Sequence, residues 1–307
     1  MVPYGNGYRG DWICKMRGNM NYQWYPGHMT KAKRMMQEDI KLIDLVIELV
    51  DARIPLSSKN PDIDELGKNK SRIILLNKSD LADPAGNALW REYFKAKGFY
   101  VLEINARSGA GIKEINGLVQ QACKEKIERD KRRGLINRPV RAMVVGIPNV
   151  GKSTFINSFA GKACTKTGNK PGVTKGKQWI RMKNSLELLD TPGILWPKFE
   201  DQEVGMKLAF IGSMNDEIVI IQELALDLIQ YIAIRYPKAF EERYGITYPA
   251  DLPEEKAAVE VLEQIAEVRK CYLKGKEPDY DRAASLFVDD FRSGRLGRIT
   301  LETPEGM

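Results

Sequence analysis

Histidine is almost absent: His28, in "YPGHM", is the only one in 307 residues. A single imidazole is all this chain offers to proton chemistry near neutral pH, and the rest of the sequence decides whether it is used. Cysteine is scarce too. Cys14, Cys123, Cys164 and Cys271 lie far apart at no metal-ligand spacing, which predicts free thiols in a reducing, cytoplasmic setting. No apolar run approaches the roughly 18 residues that span a bilayer, so no membrane partner is expected. The opening "MVPYGNGYRGDWICKMRGNM" lacks the continuous apolar segment of a secretory signal and reads as a flexible extension over 1–19. There is no internal repeat and no low-complexity tract.

What is present is a globular composition, 43% hydrophobic and 29% charged, on a chain long enough for two domains. Its charge is uneven. The first 204 residues carry 35 Lys/Arg against 22 Asp/Glu, and the remainder carries 13 against 19. A basic first part facing an acidic second part suggests a polyanionic partner for the first. Seven basic side chains and no acidic one lie between Lys162 and Lys183, and Lys31, Lys33 and Arg34 could join them against RNA phosphates.

Short apolar segments at 44–52, 72–77, 100–106, 141–146 and 185–191 predict buried strands of a parallel sheet. Helical patterns at about 29–42, 86–97, 111–132 and 152–161 separate them. The alternation gives a doubly wound, mostly parallel α/β domain over 20–200. From 205 to 307 the pattern is all-helical, with stripes at 217–236, 257–272 and 280–291. Pro253 opens the second of these and Asp279 caps the third.

"GIPNVGKST" (146–154) follows a strand and opens a helix, as a phosphate-binding loop must. Its backbone N–H groups would wrap the phosphates, Lys152 would reach the β and γ groups, and Ser153 would coordinate Mg²⁺. Val150, Gly151 and Thr154 are placed at the nucleotide with them. "DTPG" (190–193) ends a later strand, with Asp190 in the Mg²⁺ shell and the Gly193 N–H at the γ-phosphate. Between them, Thr174 is the threonine expected to complete that shell. "NKSD" (77–80) follows another strand. Asp80 can accept from the N1–H and amine of guanine, Lys78 can lie along the ring, and Asn77 can tie this turn to the phosphate loop. "INARSGAGI" follows the next strand; Asn105, Ala106 and Arg107 stand where a Ser-Ala-Lys loop would put an Ala N–H on guanine O6.

These are GTPase motifs in permuted order, with base recognition ahead of phosphate binding. Together with "YPGHM", "DARIPLSSKNP", "PGVT", "DTPGIL" and "FRSGRLGRITLE", they resemble the circularly permuted GTPases of the RbgA/YlqF type, over residues 20–307. The resemblance implies a circularly permuted P-loop GTPase domain with a C-terminal all-helical domain. It implies GTP/GDP and Mg²⁺ as cofactors, with a K⁺ site at Asn149. It further implies action on the large ribosomal subunit precursor and its rRNA, stimulated by that subunit, without DNA and as a monomer. The chain cut would fall in the second switch, bringing His28 near Gly193. Ile194 stands where many GTPases place a water-orienting Gln, and His28 is the family's proposed substitute. Arg292, Arg295 and Arg298 would form a narrow rRNA contact. A permuted GTPase acting on another RNA, an RNA-binding scaffold with a vestigial site and an ATP-using P-loop kinase stay open as alternatives.

Overall fold

The computed structural model describes residues 34–135, 138–161, 178–182, 186–191, 193, 195, 201–214 and 219–304. His28, Thr174, the extension 1–19 and most of the basic 162–183 stretch lie outside these residues. The described chain divides into two compact units.

The α/β unit is a six-stranded sheet in the order β3-β2-β1-β4-β6-β5. Its strands are β1 (Leu45–Asp51), β2 (Ser71–Asn77), β3 (Tyr100–Ile104), β4 (Val140–Val145), β5 (Gln178–Met182) and β6 (Leu186–Asp190). Every residue of β1 is buried, because this strand lies between β2 and β4 in the middle of the sheet. The helices here are α1 (Pro61–Leu66), α2 (Pro84–Ala96), α3 (Ile115–Ala122), α4 (Lys124–Arg132) and α5 (Lys152–Ala160). Trp90 and Phe94 on the apolar face of α2 pack with Val50, Ile74, Leu76 and Val101. Residues 34–39 are helical and run through a short 3-10 turn into β1.

The five strands read from the sequence are all present and mutually parallel. The sixth, β5, was not anticipated. It pairs antiparallel with β6, as a three-residue connection (183–185) requires. The helix expected over 111–132 is divided at Cys123 into α3 and α4.

The second unit, among the described residues, comprises 209–212 and 219–299. Its helices are α7 (Ile221–Arg235), α8 (Lys238–Tyr244), α9 (Glu254–Val268) and α10 (Tyr280–Arg292); α6 (Gln202–Phe210) straddles the division between the units. Leu228, Ile232, Val261, Leu262, Ile265 and Phe287 form its core, and the Phe240 and Phe287 rings stack at 6.1 Å. Asp279 caps α10, accepting from the Arg282 N–H at 3.0 Å, as its sequence position suggests. The expected 205–307 range differs at both ends: among the described residues, those up to Leu208 and those at 300–304 cluster with the sheet.

Candidate functional site

In an open α/β sheet, ligands collect at the carboxyl ends of the strands, where the strand order reverses. That point lies between β1 and β4. Each motif begins there: Asp51 ends β1, Asn77 ends β2, Ile104 ends β3, Val145 ends β4 and Asp190 ends β6. The register aligns them, with Asp51 opposite Asn77, Asn77 opposite Ile104, and Val144 opposite Asp190. Motifs more than a hundred residues apart in sequence therefore line one edge.

Asn77 joins three of these loops. Its Nδ2 donates to the Val150 carbonyl at 2.7 Å, and its Oδ1 accepts from the Ala106 N–H at 3.0 Å. Gly151 is required by this bridge, since a Cβ there would lie 2.5 Å from Asn77 Nδ2. The Ala106 N–H assigned to guanine O6 is thus directed at Asn77 instead. Asn105 folds its own loop, its Oδ1 accepting from the N–H groups of Arg107 at 2.9 Å and Ser108 at 3.0 Å. Ser79 closes the turn onto β3 by donating to the Ile104 carbonyl from both N–H and Oγ. Asp80 stands exposed at the end of this turn, available to a ligand.

Sequence reasoning did not single out Asp51 and Arg53, which lie beside the base loop. Arg53 grips Asp51 through Nε at 2.9 Å and Nη2 at 2.8 Å, and Lys78 Nζ reaches the same carboxylate at 2.9 Å. The available signal was charge inside "DARIP", at the end of an apolar strand. Burial opposes ionisation of Asp51, but the Arg53 and Lys78 charges outweigh it and hold the carboxyl far below the usual range.

On the phosphate side, Gly151 is the N-cap of α5 in the left-handed region, which presents the helix N-terminus to the strand edge. Asn149 is left-handed as well, at φ 57°. Lys152 is buried, and its Nζ donates to the carbonyls of Gly146 at 3.0 Å and Ile147 at 2.8 Å. Burial lowers its pKa, opposed by the charge of Asp190; burial likewise raises Asp190, opposed by Lys152. Asp190 Oδ1 is buried without a hydrogen-bond partner. An orphaned carboxylate oxygen at the end of β6, on the same edge as Ser153, suits a hard cation. Gly193 comes so close that a Cβ there would lie 2.8 Å from Lys152 Nζ and 2.9 Å from Pro148.

In the helical unit, three arginines converge on the buried Asp290. Arg243 Nε donates at 2.7 Å, Arg269 Nη2 at 3.4 Å, and Arg295 also pairs with it. Arg292 donates to the carbonyls of Phe210 at 3.0 Å and Ala209 at 2.8 Å. Two of the three arginines expected to contact RNA, Arg292 and Arg295, therefore engage partners within the unit.

The comparisons agree with this geometry. A family model described as "50S ribosome-binding GTPase" matches residues 141–243. It begins in β4, so the base motifs precede it in the chain, as the permutation requires. Ribosome biogenesis GTPase A of Bacillus cereus is 48% identical over 93% of this chain and 95% of its own length. The protein of that name from Thermotoga maritima is 33% identical over 92% and 94%. The crystal structure of GNP-bound YlqF from T. maritima superposes with a TM-score of 0.62 at 30% identity, over 90% of this chain and 100% of that one. A strand order that breaks between β1 and β4, a buried Asn77 linking the base and phosphate loops, and relatives spanning nearly the whole chain give one conclusion: this is a GTP-hydrolysing, circularly permuted member of the ribosome biogenesis GTPase A family.

Proposed function

We propose that the chain is a cytoplasmic, monomeric assembly factor that binds the precursor of the large ribosomal subunit through its rRNA and couples GTP hydrolysis to maturation and release. The observation that carries this reading is the near full-length identity to ribosome biogenesis GTPase A proteins, on a nucleotide site whose bridging residue Asn77 is in place. Among the described residues no helix is long and apolar enough to cross a membrane.

Within the site, Asp80 reads the guanine edge while Asn77 ties the base turn to the phosphate loop. Asn149, Val150, Gly151, Lys152, Ser153 and Thr154 surround the phosphates. Mg²⁺ would be held by Ser153, Thr174 and Asp190, where it neutralises charge developing on the phosphates; the orphaned Asp190 oxygen supports this. K⁺ would be held beside Asn149. Gly193 presents its N–H to the γ-phosphate, and His28 orients the attacking water in place of the glutamine that Ile194 displaces.

GTP turnover with and without purified large subunits, in KCl and in NaCl, tests the reading. Stimulation by the subunit and by K⁺ is expected, with His28→Ala losing turnover while GDP affinity stays intact. Turnover indifferent to subunits would remove the proposed partner, and a fully active His28→Ala would remove the proposed water-orienting role.

A further inference from the structure

The loop after β1 touches the base-recognition lysine at one end and the C-terminal segment at the other. Lys78 has a left-handed backbone, φ 58°, uncommon for a residue other than glycine. Its Nζ lies 2.9 Å from Asp51 Oδ2, and the same carboxylate is held by Arg53. Both Asp51 and Arg53 are fully buried, at 0% and 1% exposure, so this anchor is fixed within the protein.

The loop itself is knit by Ser58. Its Oγ accepts from the Asp51 N–H at 2.9 Å and donates to the Ile54 carbonyl at 2.7 Å. The next contacts come from Thr300–Glu302, 245 residues further on for the pair Ser57 and Glu302. The Leu301 N–H donates to the Arg53 carbonyl at 2.8 Å. The Glu302 carboxylate accepts from the N–H groups of Leu56 at 2.9 Å and Ser57 at 3.2 Å and from Ser57 Oγ. The same segment grips the exit of the base turn: Thr300 Oγ1 accepts from the Asp83 N–H at 3.0 Å, and the Glu302 carbonyl accepts from Trp90 Nε1 at 3.1 Å. "ITLE" was part of the resemblance in the sequence, but no role in nucleotide chemistry attached to it.

We propose that Asp51 is a positioning residue for guanine recognition, holding Lys78 where it lies along the base, and that the strap Thr300–Glu302 keeps the Asp51 loop in register. The strap begins one residue after the helical unit ends at Ile299, so guanine affinity becomes sensitive to whatever displaces that segment. The proposal rests on guanine nucleotide binding at this edge, which the wild-type titration measures separately.

A double-mutant cycle on the full chain tests it, with a fluorescent GDP analogue as probe. Asp51→Asn is expected to weaken GDP binding about tenfold in the wild-type background and less than about twofold beside Lys78→Met, the scale of one charge-assisted hydrogen bond. Asp51→Asn leaves Arg53 buried without its counter-charge and risks misfolding. Glu302→Ala keeps that pair intact and supplies a second cycle, with about a threefold loss that again vanishes beside Lys78→Met. Equal losses in both backgrounds would reveal a general packing effect and overturn the proposal. Unchanged GDP affinity in a folded Asp51→Asn or Glu302→Ala protein would overturn it too.

Discussion

The base half of the site, formed by the loops after β1, β2 and β3, satisfies itself with protein atoms: Asn77 joins the Val150 carbonyl to the Ala106 N–H, and Asp51 takes Arg53 and Lys78. The phosphate half, after β4 and β6, does not. Lys152 rests on the carbonyls of its own loop, and one oxygen of Asp190 is buried without a hydrogen bond. A buried polar group left unpaired costs about 1–3 kcal/mol. The phosphate half therefore stores a demand that a nucleotide and cation can meet, whereas the base half is shaped before any ligand arrives.

Four outcomes would break or sharpen that contrast. The largest is Lys152→Ala, which should lose at least about 100-fold in GTP turnover by phosphate release, the scale of a lost transition-state contact. It also leaves the Gly146 and Ile147 carbonyls and the Asp190 carboxylate without their shared cation, so the protein should unfold more easily as well. Asn77→Ala orphans a carbonyl and an N–H, so urea unfolding should show about 2–4 kcal/mol of lost stability along with weaker GDP binding. An Asn77→Ala protein as stable as wild type, with GDP affinity intact, would remove the contrast between the halves.

Acid comes next. Asp51 and Asp290 are both held below the ordinary carboxylate range; burial opposes ionisation in each, and Arg53 with Lys78, or Arg243 with Arg295, outweighs it. A carboxyl whose folded pKa is depressed stabilises the fold above its unfolded pKa of about 4, and this is lost as pH falls toward the folded value. Denaturant unfolding should give a stability about 1–2 kcal/mol lower at pH 3 than at pH 6 from these two groups. The smallest effect concerns Cys123, beside Ser71 at the opposite end of β2 from the base turn, where burial pushes the thiol up to about 11. With Cys14, Cys164 and Cys271 each replaced by Ser, thiol labelling at pH 8 should be slow and indifferent to GDP. Labelling that GDP suppresses would mean that the strands carrying the base half open after all.

Much of this was legible in the sequence because it is local. Apolar runs flanked by turns gave the five parallel strands, and Gly146 to Thr154 carries its chemistry at fixed spacing. β5 escaped because Trp179 and Arg181 face outward in alternation with Ile180, leaving too weak an apolar run to register. The break at Cys123 sits inside a continuous helical pattern and carries no Gly or Pro to mark it. The strap was read as the tail of a helical domain because its partners, Arg53, Ser57, Asp83 and Trp90, lie more than two hundred residues earlier. No local periodicity reports such a contact. Arg292 and Arg295 looked like free cations for the same reason: Ala209, Phe210 and, for Arg295, the buried state of Asp290 appear only in three dimensions.

Amide hydrogen exchange, followed residue by residue with and without GDP and Mg²⁺, tests the central contrast most directly. The Ala106 amide should already be protected in the nucleotide-free protein and change little on binding, while the amides of the phosphate loop, Val150 to Lys152, should gain protection with ligand. An Ala106 amide that exchanges as freely as an open loop until GDP is added would contradict a base half built in advance.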